Sequence, residues 1–294
     1  MGLRKAKDER KKCVTHDSQQ HRSIRPYSKG MSIEALEPEF LEKVWGARNL
    51  SPWFPDSGVK IGEVWLNGPR GERLPLLVKF LFTTERLSVQ VHPNDEYAAL
   101  HHQSKGKTEM WHILRAEPGA QIALGLKHGL GSGRELREAS ESGAILDLLN
   151  WIDVTPGENY FVPAGTIHAI GAGLALCEIQ QYSDVTYRLF DYGRPRELHL
   201  DRGVEVSDLR KYAAVPQPPE ALVDCGYFRT ELIEVKGTQR IAFGSGLLIA
   251  IGGNGTIDDK SFQMGEAWKV FAAPSLEISA SGTAAVRFLK TFVP

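Results

Sequence analysis

From Ile61 onward the chain is a succession of short apolar or alternating runs, each closed by Gly, Pro or Asp, and this rhythm limits the possible folds more than any other feature. The clearest runs are LPLLVKFLF (74–82), LSVQVHP (87–93), MWHILRA (110–116), AQIALGL (120–126), ENYFVPA (158–164) and ALCEIQQ (175–181). Segments of this length between turn-forming residues read as antiparallel strands, and their number predicts an all-β sandwich or barrel. Two stretches break the rhythm. Asp95 to His102 reads as a short helix or loop, and helical spacing at Leu136, Ala139, Ile145 and Leu149 predicts a small helical insertion near 133–149.

The Pro-rich VPQPPEAL (215–222) reads as a linker between a larger unit over 31–214 and a smaller all-β unit over 215–294. Both units contain a Gly-Glu turn feeding an alternating aromatic strand, GENYFVPAGTIH (157–168) in the first and GEAWKVFAAPSL (265–276) in the second. The second copy offers no histidine. It therefore reads as a degenerate barrel that keeps its packing without a metal.

Charge and cysteine usage exclude several classes. Residues 1–30 hold nine Lys or Arg against three acids and read as a disordered basic extension, with Met31 ahead of the first foldable segment. The remainder carries a net charge of −7, which gives no electrostatic footprint for nucleic acid. No apolar run approaches the ~20 residues needed to cross a bilayer. The three cysteines, Cys13, Cys177 and Cys225, are far apart and odd in number, which fits a reducing cytoplasm and no disulfide framework.

Three segments carry the chemistry. In Ser88-Val89-Gln90-Val91-His92-Pro93 the alternation places Gln90 and His92 on one face of a strand. In Gly157-x5-Pro163-x-Gly165-x2-His168, Pro163 and Gly165 shape a tight corner that aims His168 toward the barrel interior. In Gly106-Lys107-Thr108-Glu109-Met110-Trp111-His112, a strand beginning at Glu109 would send its carboxylate inward, with Met110 and His112 on the other face. Taken singly, each has a plainer reading: a solvated QxH, a satisfied structural histidine, a surface ion pair of Glu109 with Lys107. Together the two imidazoles, one carboxylate and one amide make a ligand set of borderline hardness, suited to zinc and tolerable to manganese, iron or cobalt. His101, His102 and the scattered Trp residues read as surface and core.

The order VQVHPND, GKTEMWHIL, VPAGTIHAIGAG and EIQQYSDVTYRLFDYGRPRELH resembles type I mannose-6-phosphate isomerase of the cupin superfamily, over about Phe40 to Ala214. The chain is similar in particular to the short bacterial form. The resemblance implies a cupin jelly-roll β-barrel that binds metal, followed by a second, degenerate barrel. It implies one zinc ion per chain on Gln90, His92, Glu109 and His168, and active-site roles for Lys107, Arg188 and Glu178. The implied activity interconverts mannose 6-phosphate and fructose 6-phosphate through an enediol, in a cytoplasmic monomer or homodimer whose partner is a small sugar phosphate. Glu178, Lys107 or a water on the metal could serve as base. Some relatives carry a histidine beside the lysine where this chain has Gly106. That departure keeps in view a sugar-phosphate-sensing cupin without turnover. Because metal-binding barrels also host oxygenases, a metal-dependent cupin oxygenase is the other alternative.

Overall fold

The computed structural model describes residues 30–294. The basic extension expected over residues 1–30 lies, except for Gly30, outside the described residues. In chain order the first elements are β1 (Ser32–Ala35), β2 (Glu37–Ala47), β3 (Ile61–Asn67), β4 (Leu76–Thr83), β5 (Val89–Val91), α1 (Asp95–His102), β6 (Glu109–Ala116) and β7 (Gln121–Leu126). Then come α2 (Gly133–Ser142), α3 (Ile145–Leu148), β8 (Leu149–Asp153), β9 (Asn159–Val162), β10 (His168–Ile170), β11 (Leu174–Gln181), β12 (Tyr187–Phe190) and α4 (Leu200–Val206). The remaining strands are β13 (Val223–Asp224), β14 (Arg229–Val235), β15 (Thr238–Gly252), β16 (Gly255–Ile257), β17 (Lys260–Phe262), β18 (Ala267–Ala280) and β19 (Val286–Phe292).

The first unit is two antiparallel sheets laid face to face, β2-β3-β4-β11-β6-β9 and β12-β5-β10-β7-β8. Strand alternation divides their side chains among three environments. On β4, Leu76, Val78, Phe80 and Phe82 face outward into a core shared with the second unit, and Leu81 faces the space between the sheets. On β11, Ala175, Cys177 and Ile179 make the same outward contacts, and Leu174 and Leu176 point inward. Val89, Val91, Ala123 and Ala169 lie on the outer face of the smaller sheet, which Leu136 and Ala139 of α2 and Ile145 of α3 cover. A strand buried on both faces needs apolar residues at every position, which is why LLVKFLF reads as a continuous run and not as an alternation.

The helices begin where short polar side chains cap them. Asn94 Oδ1 accepts from Tyr97 N at 2.9 Å at the start of α1, and Ser132 caps α2 through Glu135 N. Gly143, at φ +82°, ends α2 in the left-handed conformation that glycine adopts without strain. Leu149, which shares the helical spacing of this segment, instead opens β8, so the insertion stops at Leu148.

The second unit is one bent sheet, β13-β14-β19-β15-β18-β16-β17, with β1 paired to β18 from Ser32↔Phe271 to Ala35↔Trp268. Strand β1 lies upstream of the Pro-rich segment yet completes this sheet. The long strands β15 and β18 change register between Gly244 and Gly246, a bulge that lets the sheet curl around Phe243, Leu248, Phe262, Trp268, Leu276 and Phe288. Trp53 Nε1 donates to Ile251 O at 3.0 Å, and Val223, Phe228, Ile249 and Leu289 pack in one core with Val78 and Phe80.

Candidate active site

The space between the two sheets of the first unit is apolar at one end and polar at the other. Leu81, Ile113, Ile122, Leu124, Ile170 and Leu176 fill the apolar end. At the polar end two rows of residues face each other, one from each sheet. In the larger sheet Lys79, Glu178 and Trp111 are cross-strand neighbours, with Gln180 opposite Glu109 one step along. In the smaller sheet Arg188, Gln90 and His168 are neighbours in register. Alternation explains the sidedness, since Gln90 lies between two valines of the outer core and Glu109 and Trp111 flank the outward Met110.

His92, Glu109 and His168 present their ligand atoms within 4.8 Å of one another, all three buried. Glu109 Oε2 lies 3.5 Å from His92 Nε2, and Oε1 lies 3.5 Å from His168 Nε2. The corner read in the sequence forms as expected. Gly165, at φ +86°, donates its N–H to His92 O at 2.8 Å, which ties the end of β5 to the start of β10. Each imidazole is oriented through Nδ1, His92 donating to Val185 O at 3.0 Å and His168 to Thr166 O at 2.8 Å. That assignment leaves both Nε2 lone pairs aimed inward. Burial holds His168 down to about 4 and His92 well below its ordinary value, so both are neutral.

Two N–H donors meet those lone pairs, Lys107 Nζ at 2.8 Å from His92 Nε2 and Gln90 Nε2 at 3.3 Å from His168 Nε2. A half-turn of the Gln90 amide would exchange its nitrogen for its oxygen. Glu109 is fully buried, and among the described residues no hydrogen-bond donor is aligned on either of its oxygens. Lys107 Nζ lies 2.8 Å from Oε2 as an off-line ion pair. This pair is buried, unlike the surface pair that Glu109 and Lys107 could have formed. Burial and the charge of Glu178 raise the Glu109 carboxyl, against the opposing pull of Lys107. A buried carboxylate lacking directed donors, faced by two neutral imidazoles, suits a divalent cation better than it suits an empty interior. The group is therefore able to hold a metal ion.

Beside these ligands lies a cavity of about 370 Å³. Gln90, Lys107, Glu178 and Arg188 all line it, so the sequence-selected residues converge. Glu178 is gripped by Lys79 Nζ at Oε1, 3.2 Å, and by Trp111 Nε1 at Oε2, 3.1 Å. Burial alone would raise its carboxyl, but Lys79 and Lys107 outweigh burial and hold it below its ordinary value. Arg188 donates through Nη1 to Glu197 O at 2.7 Å, while its buried Nε has no partner among the described residues. Burial, then Arg196, lowers its pKa.

The cavity also takes in Lys43, Glu63, Lys79 and Arg196, which had no role from sequence alone, and Trp45 and Trp65, which were expected in the core. Lys79 had a visible signal, being the single charge in the run LPLLVKFLF. Its Nζ sits 4.8 Å over the Trp65 ring, so a tryptophan read as core belongs to the cavity wall. Gly106 has a packing explanation. A Cβ there would stand 2.5 Å from Asn94 C and 2.6 Å from Asp95 N, so no side chain fits. Its N–H bonds Asp95 Oδ1 at 2.7 Å and the next N–H bonds Pro93 O at 3.0 Å, which holds Lys107 beside His92. His101 and His102 stand at the exposed end of α1, as expected.

Known proteins share this architecture. Residues 59–120, which include Gln90, His92, Lys107 and Glu109, match the phosphomannose isomerase type I catalytic domain. A mannose-6-phosphate isomerase of Bacillus subtilis is 40% identical, the match covering 67% of this chain and 78% of that protein. One from Streptococcus mutans is 43% identical over 47% of this chain and 45% of its own length. Among solved structures, the mannose 6-phosphate isomerase of Bacillus subtilis superposes with a TM-score of 0.78 at 27% identity, covering 89% of this chain and 100% of that one. A variant of Salmonella typhimurium phosphomannose isomerase gives 0.70 at 15% identity, over 89% and 99%, and speaks for the cupin fold alone. With two facing sheets, a His-Glu-His group at their polar end and a relative of this identity and coverage, the chain belongs to the type I phosphomannose isomerase family.

Proposed function

We propose that this chain interconverts mannose 6-phosphate and fructose 6-phosphate using one zinc ion held by Gln90, His92, Glu109 and His168. The observation that carries the reading is the pairing of that buried donor set with a cavity lined by both Glu178 and the half-open guanidinium of Arg188. The donor set of two imidazoles, a carboxylate and an amide oxygen favours zinc over the harder magnesium or calcium. When bound, the ion supplies Lewis-acid stabilisation to oxygen as the sugar's carbon-bound proton is lost, an effect worth several kcal/mol.

The protein's own groups handle the protons. Glu178 has one donor on each oxygen and keeps a lone pair free, so its carboxylate can take the proton from C2 of the aldose. Lys107 Nζ delivers a proton to O1, giving the enediol. The ketose follows when O2 returns a proton to Lys107 and Glu178 protonates C1. A positioned base of this kind contributes about 10²–10⁴-fold. Lys79 and Trp111 fix the carboxylate, and Arg188 takes the phosphate through its Nε and Nη2 edge, the geometry that suits bidentate recognition. Gln90, the proposed base and the anion donor thus line one partly open cavity, with the buried His92, Glu109 and His168 beside it.

The direct test is a coupled assay of mannose 6-phosphate isomerisation on the purified protein, before and after chelation and after returning zinc. Turnover that vanishes with chelator and returns with zinc is expected. Failure of the metal-loaded protein to isomerise mannose 6-phosphate would discard the reading.

A further inference from the structure

The segment after β12 folds back on itself in a tight turn. Tyr192 and Gly193 have φ of +55° and +77°, and Arg194 N donates to Asp191 O at 3.0 Å, as in a type I′ turn. The returning arm is laced to Arg188 by three hydrogen bonds. Arg188 N donates to His199 Nδ1 at 3.1 Å, His199 N donates to Arg188 O at 2.7 Å, and Arg188 Nη1 donates to Glu197 O at 2.7 Å. The turn therefore brings Arg196 to the same cavity wall as Arg188.

Arg196 is held in a definite orientation. Asp191, only 2% exposed, accepts from its Nε at 2.5 Å and its Nη2 at 2.6 Å, a bidentate fork that fixes the guanidinium plane. Asp191 also faces Arg194 Nη1 at 3.3 Å, so its single negative charge is shared by two cations. Arg196 Nη1 has no hydrogen bond among the described residues. Two guanidiniums thus stand close enough to oppose each other's charge, with Arg188 Nε and Arg196 Nη1 left as donors. Asp191 and Glu197 offset part of the repulsion between these like charges, and a bound anion would offset more of it.

We infer that Arg196 is a second phosphate-binding guanidinium beside Arg188, and that Asp191 is the positioning residue that aims it. The inference rests on the sugar-phosphate reading above. A phosphate monoester carries about −1.5 to −2 charges near pH 7 and three acceptor oxygens. The Nε and Nη2 edge of Arg188 serves two of those oxygens, and Arg196 Nη1 serves the third. Asp191 occupies the matching edge of Arg196, which leaves three of its five N–H bonds, two of them on Nη1, in a fixed plane and makes the two arginines complementary.

The test compares the full-length zinc-loaded protein with Arg196→Gln and Asp191→Asn, using mannose 6-phosphate kinetics together with inorganic phosphate binding by calorimetry. Arg196→Gln is expected to raise KM by about 10- to 100-fold, to weaken phosphate binding by a similar factor, and to lower kcat far less. Asp191→Asn is expected to move the same two quantities in the same direction by a smaller factor. Should Asp191→Asn fail to fold, Arg196→Gln decides alone, since that side chain is 33% exposed and Arg194 still pairs with Asp191. KM and phosphate affinity within twofold of the parent in Arg196→Gln would overturn the inference. A parent protein that binds phosphate through Arg196 but does not isomerise mannose 6-phosphate would refute the enzymatic reading and leave the anion site standing.

Discussion

The two β units of this chain enter β9 and β18 through the same turn and then part ways. In the first, Thr155 N donates to Glu158 Oε2 at 2.7 Å and Glu158 N returns to Thr155 O at 3.3 Å around Gly157 at φ +96°. In the second, Gln263 N donates to Glu266 Oε2 at 3.0 Å and Glu266 N returns to Gln263 O at 3.3 Å around Gly265 at φ +88°. After the turn, β9 stops at Val162 and the Pro163–Gly165 corner delivers His168 to the interior, whereas β18 continues to Ala280. The interior of the second sheet is filled by Phe262, Trp268 and Phe288, with the Phe262 and Phe288 rings 4.8 Å apart. A shared scaffold thus supports a polar chamber in one case and a packed core in the other. The difference lies in what the inward positions carry, and folding tolerates either.

The largest expected effect separates the units chemically. His168→Ala should lose metal and turnover together, with activity falling by about three orders of magnitude or more, as read by metal analysis beside the coupled assay. Full metal occupancy in that variant would remove the basis for the contrast. Next in size, Phe288→Ala should cost about 3–5 kcal/mol in denaturant unfolding while metal per folded molecule stays at the parental level. A folded variant depleted of metal would show that the second unit shapes the site after all.

A smaller effect is expected at Gly106→Ala, where the added methyl meets the Asn94 and Asp95 backbone and should cost about 1–3 kcal/mol of stability. Parental stability would mean that the 93–95 segment yields, and that the close approach does not hold Lys107. The smallest concerns the turn that the units share. Tyr160→Phe serves as the background, since it removes the extra hydroxyl bond to Glu158 Oε2. In that background Glu158→Ala and Glu266→Ala should each cost about 0.5–1.5 kcal/mol and resemble one another, because each removes one side-chain acceptor from a backbone N–H. A clear disparity in thermal unfolding would break the equivalence of the turns.

Residue order alone determined the all-β character, the helical insertion up to Leu148 and the inward sidedness of Gln90, His92 and Glu109. These are consequences of short-range periodicity, which the chain carries regardless of its partners. The Pro-x-Gly corner ahead of His168 was equally readable, since φ restrictions act locally. Strands β1 and β2 left no such trace, because they lie at sheet margins where exposure relaxes the apolar pattern. Only the tertiary structure joined β1 to β18, set Lys79 against Glu178, and turned Trp65 toward the cavity. Only it gave Gly106 a steric reason and brought Arg196 beside Arg188. Each of these depends on which strands become neighbours and in what register. Pairing across tens of residues is decided by the burial of whole sheet faces, and no local window of sequence records it.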